Sequence, residues 1–193
     1  MSMPASYQPP SRLWTAEEFF AVRDAAPAGI RYELVEGELL VTPAPARSHQ
    51  FIAVSLCVLL IGYARAQKLG EVLLAPFDVK LAKLTWLQPD LLVFRPDAPY
   101  DERKAELSHL LLAVEVLSPG SARHDRVTKR DAYQHHRVPE YWIVDKASRT
   151  FERWRPDDDR PEVISQMLSW HPEGASDPFT LKLEEFFADI PSV

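Results

Sequence analysis

Cysteine, glycine and long apolar runs are scarce in this chain, and each scarcity removes a class of protein. One cysteine, Cys57, in 193 residues excludes a disulfide framework and a cysteine-based zinc site, and it fits a reducing compartment. Glycine occurs only 6 times and forms no phosphate-cradling loop. Ser118 lacks the flanking glycines of a nucleophile elbow, which argues against a serine hydrolase. The longest apolar centre, Phe51 to Ala64, runs for 14 residues and contains Ser55 and Gly62. A bilayer crossing takes about 20 mostly apolar residues, so this segment reads as a buried helix. The polar, proline-rich start, Met1 to Pro10, lacks the order of a secretory signal. A soluble cytoplasmic protein with no membrane partner is expected.

Positive charge in excess is also missing. The net charge is −6, but its distribution matters more than its sum. Residues 151–193 hold 4 Lys/Arg against 10 Asp/Glu, whereas residues 1–150 hold 18 of each. The body is therefore neutral and the C-terminal part carries the whole excess. Within the body, Ser121 to Arg137 contains five Lys/Arg, two Asp and three His. On a helix, Arg123, Arg126, Arg130 and Arg137 fall within about 60° of one another. Such a stripe either meets phosphates or is an ordinary solvated face.

The expected organisation is a loose tail over residues 1–12 and one domain over residues 13–193, with an acidic extension from about residue 156. Thr15 and Glu18 have capping-box spacing, so a short helix starts near Ala16. Arg31 to Val41 reads as a hairpin turning at Glu36-Gly37. A long helix from about Ser48 to Gln67 follows, with Gly70 as its C-terminal cap. Strands are expected at Glu71–Ala75, Phe77–Leu81, Pro89–Phe94 and Leu110–Leu117, the last apolar enough to be covered on both faces. A basic helix over Ala122–His136 crosses to a strand at Glu140–Asp145. A strand or two and a helix near Leu183–Ala188 complete the chain. The class is α/β: a mixed sheet flanked by helices, with an N-terminal hairpin.

Glu115 breaks this pattern most informatively, because it interrupts an apolar core strand. Burying an unpaired carboxylate costs several kcal/mol, so it needs a cation, donors or a raised pKa. Asp90 poses a milder form of the problem, directly after Pro89 and before Leu91 to Phe94. Each has an ordinary alternative: Glu115 as the buried partner of an Arg or Lys, Asp90 as a loop cap. Together, near the ends of neighbouring strands, they would suit one magnesium ion, which prefers oxygen ligands. Lys129 follows Asp125 by four residues, a helix-stabilising spacing, or it reaches the same site. The tandem His135-His136 is too close for two ligands on one helix face and reads as solvated.

Six segments in this order resemble the Uma-type restriction endonucleases, within the PD-(D/E)xK nuclease superfamily. They are Tyr32–Glu38, the Ser48-His49-Gln50 helix start, Gln88–Phe94, Val114–Pro119, Asp125…Lys129…Tyr133 and Val138–Asp145. The resemblance implies a restriction-endonuclease-like core and magnesium-dependent cleavage of DNA phosphodiesters by a homodimer, with manganese as a substitute. It implies Asp90 and Glu115 as metal ligands and Lys129 as the catalytic lysine. The usual signature puts that lysine two residues after the acid; here that position is Leu117, and the resemblance implies a lysine moved to the following helix. Arg123, Arg126 and Arg130 would contact DNA phosphates, and Glu38 and His49 would support the site. The alternative is a nuclease-like fold retained as a non-cleaving binding or regulatory module.

Overall fold

The computed structural model describes residues 12–27, 29–99, 101 and 104–190. Of the tail expected over residues 1–12, only Arg12 is among them, pairing with Glu18 at 2.6 Å; the rest lies outside the described residues. Helix α1 (Ala16–Asp24) starts on the expected capping box, Thr15 N donating to Glu18 Oε2 at 3.0 Å and Glu18 N to Thr15 Oγ1 at 3.2 Å. Strands β1 (Ile30–Val35) and β2 (Glu38–Pro43) form the hairpin, with Glu36 and Gly37 both at positive φ in the two-residue turn, as right-handed strand twist prefers.

Helix α2 (Arg47–Gln67) buries Ile52, Ala53, Leu56, Cys57, Leu60 and Ala64. Its cap is Lys68, in the left-handed conformation, with Leu69 N donating to the Ala64 carbonyl at 2.9 Å. Gly70, expected as the cap, has a different reason to be glycine. Its N–H donates to the Phe94 carbonyl, and a Cβ there would collide with the carbonyl oxygen of Arg95. Gly70→Ala should therefore cost about 1–3 kcal/mol through backbone overpacking, read as a lower urea midpoint at unchanged m-value.

The remaining elements are β3 (Val72–Leu74), β4 (Asp78–Ala82), β5 (Thr85–Leu87), β6 (Leu91–Phe94), β7 (Lys104–Glu106) and β8 (Leu110–Val116). A π-helical segment (His124–Lys129) runs into α3 (Arg130–His135), followed by β9 (Tyr141–Asp145), β10 (Thr150–Trp154), β11 (Glu162–Ile164), β12 (Met167–Trp170), β13 (Phe179–Lys182) and α4 (Leu183–Ala188). One mixed sheet has the order β11-β10-β9-β8-β6-β3, a second β2-β1-β5-β4-β7, and β12 pairs with β13. Strands β8 and β9 are parallel neighbours, joined by the helical crossover that their order requires.

The six-stranded sheet is the middle layer. On one face Val114, Val116 and Trp142 pack with α2, β12, β13 and α4. On the other, Ala113, Tyr141 and Ile143 meet Ala132 and Tyr133 of α3 and Val35, Val79 and Leu87 of the second sheet. All seven residues of β8 are consequently buried, as an apolar run without alternation implies. The expected α/β architecture holds in outline. The differences are the short strands β5 and β7, the four strands after Thr150 where one or two are expected, and a basic helix that is π-wound in its first part. Arg137 lies beyond that helix, at positive φ, so it leaves the stripe of arginines.

Candidate active site

Asp90 immediately precedes β6 and Glu115 sits near the end of β8. Leu91 pairs with Val114 in register, so the two carboxylates stand one step further along, at the same end of adjacent antiparallel strands. Asp90 Oδ2 accepts the Val116 N–H at 2.8 Å, which fixes its orientation to the strand carrying Glu115. Its Oδ1 accepts from Arg31 at 2.9 Å, and His49 Nε2 lies 2.9 Å from Oδ2. Burial pushes the Asp90 carboxyl up, but His49, Arg31 and the Val116 N–H outweigh it and hold its pKa well below the ordinary range.

Lys129 reaches this site from the last position of the π segment. Its Nζ lies 2.7 Å from Glu33 Oε2, 2.9 Å from Glu115 Oε1 and 3.4 Å from Asp125 Oδ1. All four groups are almost wholly buried, Glu33 at 0%, Glu115 at 2%, Asp125 at 1% and Lys129 at 3% exposure. Burial works against the ammonium, yet Glu115, Glu33 and Asp125 prevail and keep its pKa well above the usual value. The Glu115 carboxyl goes the other way. Burial raises its pKa strongly, Asp90, Asp125 and Glu33 add to the rise, and Lys129 opposes it. Two adjacent carboxylates whose environments drive their pKa values apart are a mark of functional sites.

The cavity at this end of the sheet has a volume of about 220 Å³, below the ~300–1,000 Å³ of typical small-molecule pockets. Arg31, His49, Asp90, Glu115 and Lys129 line it, together with Thr42 and Pro43 at the end of β2, the following Ala44–Ala46 and the loop Ser118–Ser121. Glu33 and Asp125 are not in the lining; they hold Lys129 from behind. The π winding belongs to this arrangement, since such segments often occur at functional sites. Tyr141 Oη donates to the Asp125 carbonyl inside it at 3.1 Å.

Asp90, Glu115, Lys129 and His49 are thus brought together, and Glu38 is not: it lines a separate surface depression with Glu36, Val127 and His135. Arg123 is exposed. Arg126 is engaged by Asp145 at 2.8 Å and Glu152 at 2.7 Å, and Arg130 lies over the Trp154 ring while pairing with Asp131. None of these three lines the cavity. Sequence reasoning missed Glu33 and Arg31. Both sit in a charge-alternating hairpin strand, where a charged residue is ordinary, so no local signal marks them.

A hard divalent cation fits this donor set. Asp90 and Glu115 present carboxylate oxygens to one cavity, and the cluster of Glu33, Asp90, Glu115 and Asp125 outnumbers its fixed cations, Arg31 and Lys129. Excess buried negative charge with oxygen donors is what magnesium or manganese would neutralise.

No curated protein matches the chain significantly. A solved structure, described as a putative nuclease belonging to DUF820 from Anabaena variabilis, superimposes with a TM-score of 0.73 at 20% identity, covering 90% of this chain and 97% of that one. At that identity the likeness bears on the fold alone. Residues 16–184 match the model of the Uma2 family, described as "putative restriction endonuclease". That match runs from the first residue of α1 into α4, through every strand of both large sheets, and the chain belongs to the Uma2 family.

Proposed function

We propose that the protein is a metal-dependent endonuclease that hydrolyses DNA phosphodiester bonds. The observation that carries this reading is the convergence of Asp90, Glu115 and Lys129, from three separate elements, on one small cavity. Asp90 and Glu115 are the residues that would hold the ion. A bound magnesium or manganese ion would neutralise charge on the scissile phosphate and assist attack by water.

The chain's own groups supply the rest. Lys129, kept cationic by three carboxylates, stabilises negative charge developing at phosphorus and orients water; its raised pKa disfavours proton abstraction. Arg31 offers a second fixed cation to a phosphate oxygen while holding Asp90. His49, at the start of α2, fixes Asp90 from the other side. Arg123, Arg126 and Arg130 would contact flanking phosphates; for Arg126 and Arg130 this requires giving up part of their pairing with Asp145, Glu152 and Asp131. Homodimerisation would use the outer face of α2, where Phe51, Val54, Val58 and Leu59 are exposed at helical spacing. Val58→Asp should then shift the sedimentation coefficient from dimer to monomer without loss of helicity.

Supercoiled plasmid incubated with the protein and magnesium or manganese should be nicked. The same mixture with EDTA, or with Asp90→Asn, should leave it intact. Nicking that survives EDTA would overturn the proposal.

A specific observation favours the non-cleaving alternative as second reading. Three carboxylate oxygens lie within 3.4 Å of Lys129 Nζ, and the one on Glu115 accepts a hydrogen bond from it at 2.9 Å, so the ammonium already engages the proposed metal ligand. Cleavage requires an ion at Glu115 to release that contact. Manganese binding and DNA binding without nicking would select the binding module.

A further inference from the structure

Away from the cavity, the hairpin turn and the end of α3 bring Glu36, His135 and His136 together. Their ligand atoms all lie within 4.8 Å of one another. Adjacent residues inside a helix diverge by about 100°, which is why the tandem histidines read as solvated from sequence. In the structure His135 is exposed, as expected, whereas His136 is only partly so. Helix α3 ends at His135, His136 is already its cap at φ −86 and ψ 8, and Arg137 turns into the left-handed region. The two rings meet edge-on, with centroids 4.9 Å apart and planes at 85°, beside the Glu36 carboxylate.

Two features single out this cluster from an ordinary surface group. His136 Nε2 is shut off from solvent yet has no hydrogen-bond partner among the described residues. Glu36 Oε1 lies 3.3 Å from that nitrogen, without hydrogen-bond geometry. Two tetrahedral ligands at ~2.0–2.2 Å from zinc stand about 3.4 Å apart. The Glu36 backbone is also anchored, its N–H donating to Thr85 Oγ1 at 3.2 Å.

We propose that Glu36, His135 and His136 form a second metal site, selective for a borderline transition ion such as Zn²⁺, with water completing the coordination. Two imidazoles and one carboxylate suit zinc and disfavour magnesium. The ion would clip the β1–β2 turn to the end of α3. Strand β1 carries Glu33 and Arg31, and the segment leading into α3 carries Asp125 and Lys129, so the clip spans the two elements that hold the lysine.

The test is calorimetric titration of the full-length chain with Zn²⁺, performed in the Glu115→Gln background so that the acidic cavity does not contribute. One equivalent should bind, Co²⁺ should give a tetrahedral visible spectrum, and a large excess of Mg²⁺ should not compete. His135→Ala/His136→Ala should weaken Zn²⁺ by more than about 100-fold, because outer-shell changes alone cost ~10–100-fold at such sites. Glu36→Gln, an exposed turn substitution that should leave the fold intact, should weaken it at least tenfold. Absence of Zn²⁺ binding, or binding undiminished in Glu36→Gln and in the double variant, would overturn the site.

Discussion

Lys129→Met should lose about 3–5 kcal/mol of folding stability, the scale seen when one partner of a buried ion pair is removed. The expectation follows from the imbalance around the ammonium. Glu33, Glu115 and Asp125 are all buried, and Lys129 is the cation within 3.4 Å of each. Methionine conserves much of the volume and none of the charge, so the effect is electrostatic. Its pH dependence has a definite sign. Burial already raises the Glu115 and Asp125 carboxyls above their ordinary values, and removing Lys129 takes away the group that opposes the rise. A carboxyl whose folded pKa exceeds its unfolded value of about 4 binds more protons in the native state. Stability then falls as pH rises through that interval and is retained below it. Urea midpoints should therefore show a deficit in Lys129→Met that is large at pH 8 and narrows towards pH 5. A deficit independent of pH would contradict the charge argument.

Glu115→Gln should separate activity from stability. As the proposed metal ligand, Glu115 would take part in charge stabilisation worth several kcal/mol, and 1.36 kcal/mol is tenfold in rate. Nicking should fall by about 10³-fold or more. The same change removes a carboxylate that burial, with Asp90, Asp125 and Glu33, disfavours, and it leaves Lys129 with Glu33 and Asp125. The melting temperature should stay level or rise. A variant that lost activity because it unfolded would do the opposite, so the pair of readings assigns the loss to chemistry.

These contrasts also explain what could be read from the chain. Asp90 and Glu115 were legible because each violates an apolar run whose burial was already implied. Lys129 was legible through the resemblance and the spacing from Asp125. Glu33 was not, because a hairpin read in isolation has a solvent face, and nothing local says that β1 is an interior strand. Its second neighbour, β5, is the three-residue strand Thr85–Leu87, too short for any periodicity to register. Arg31 was hidden for the same reason: its partners, Asp90 and the Gln88 carbonyl at 3.1 Å, lie across the gap that β5 closes. The π winding leaves no residue signature, since it is a matter of backbone hydrogen bonding. Gly70 reads as a cap from its position after the helix, whereas its constraint comes from the Arg95 carbonyl, distant in sequence.

The central claim is that Asp90 and Glu115 share one divalent ion, and calorimetric titration with Mn²⁺ tests it most directly. Wild-type protein should bind Mn²⁺ at this site, and both Asp90→Asn and Glu115→Gln, shown to be folded by circular dichroism, should lose that binding. Equal Mn²⁺ binding in wild type and in the two folded variants would contradict the account.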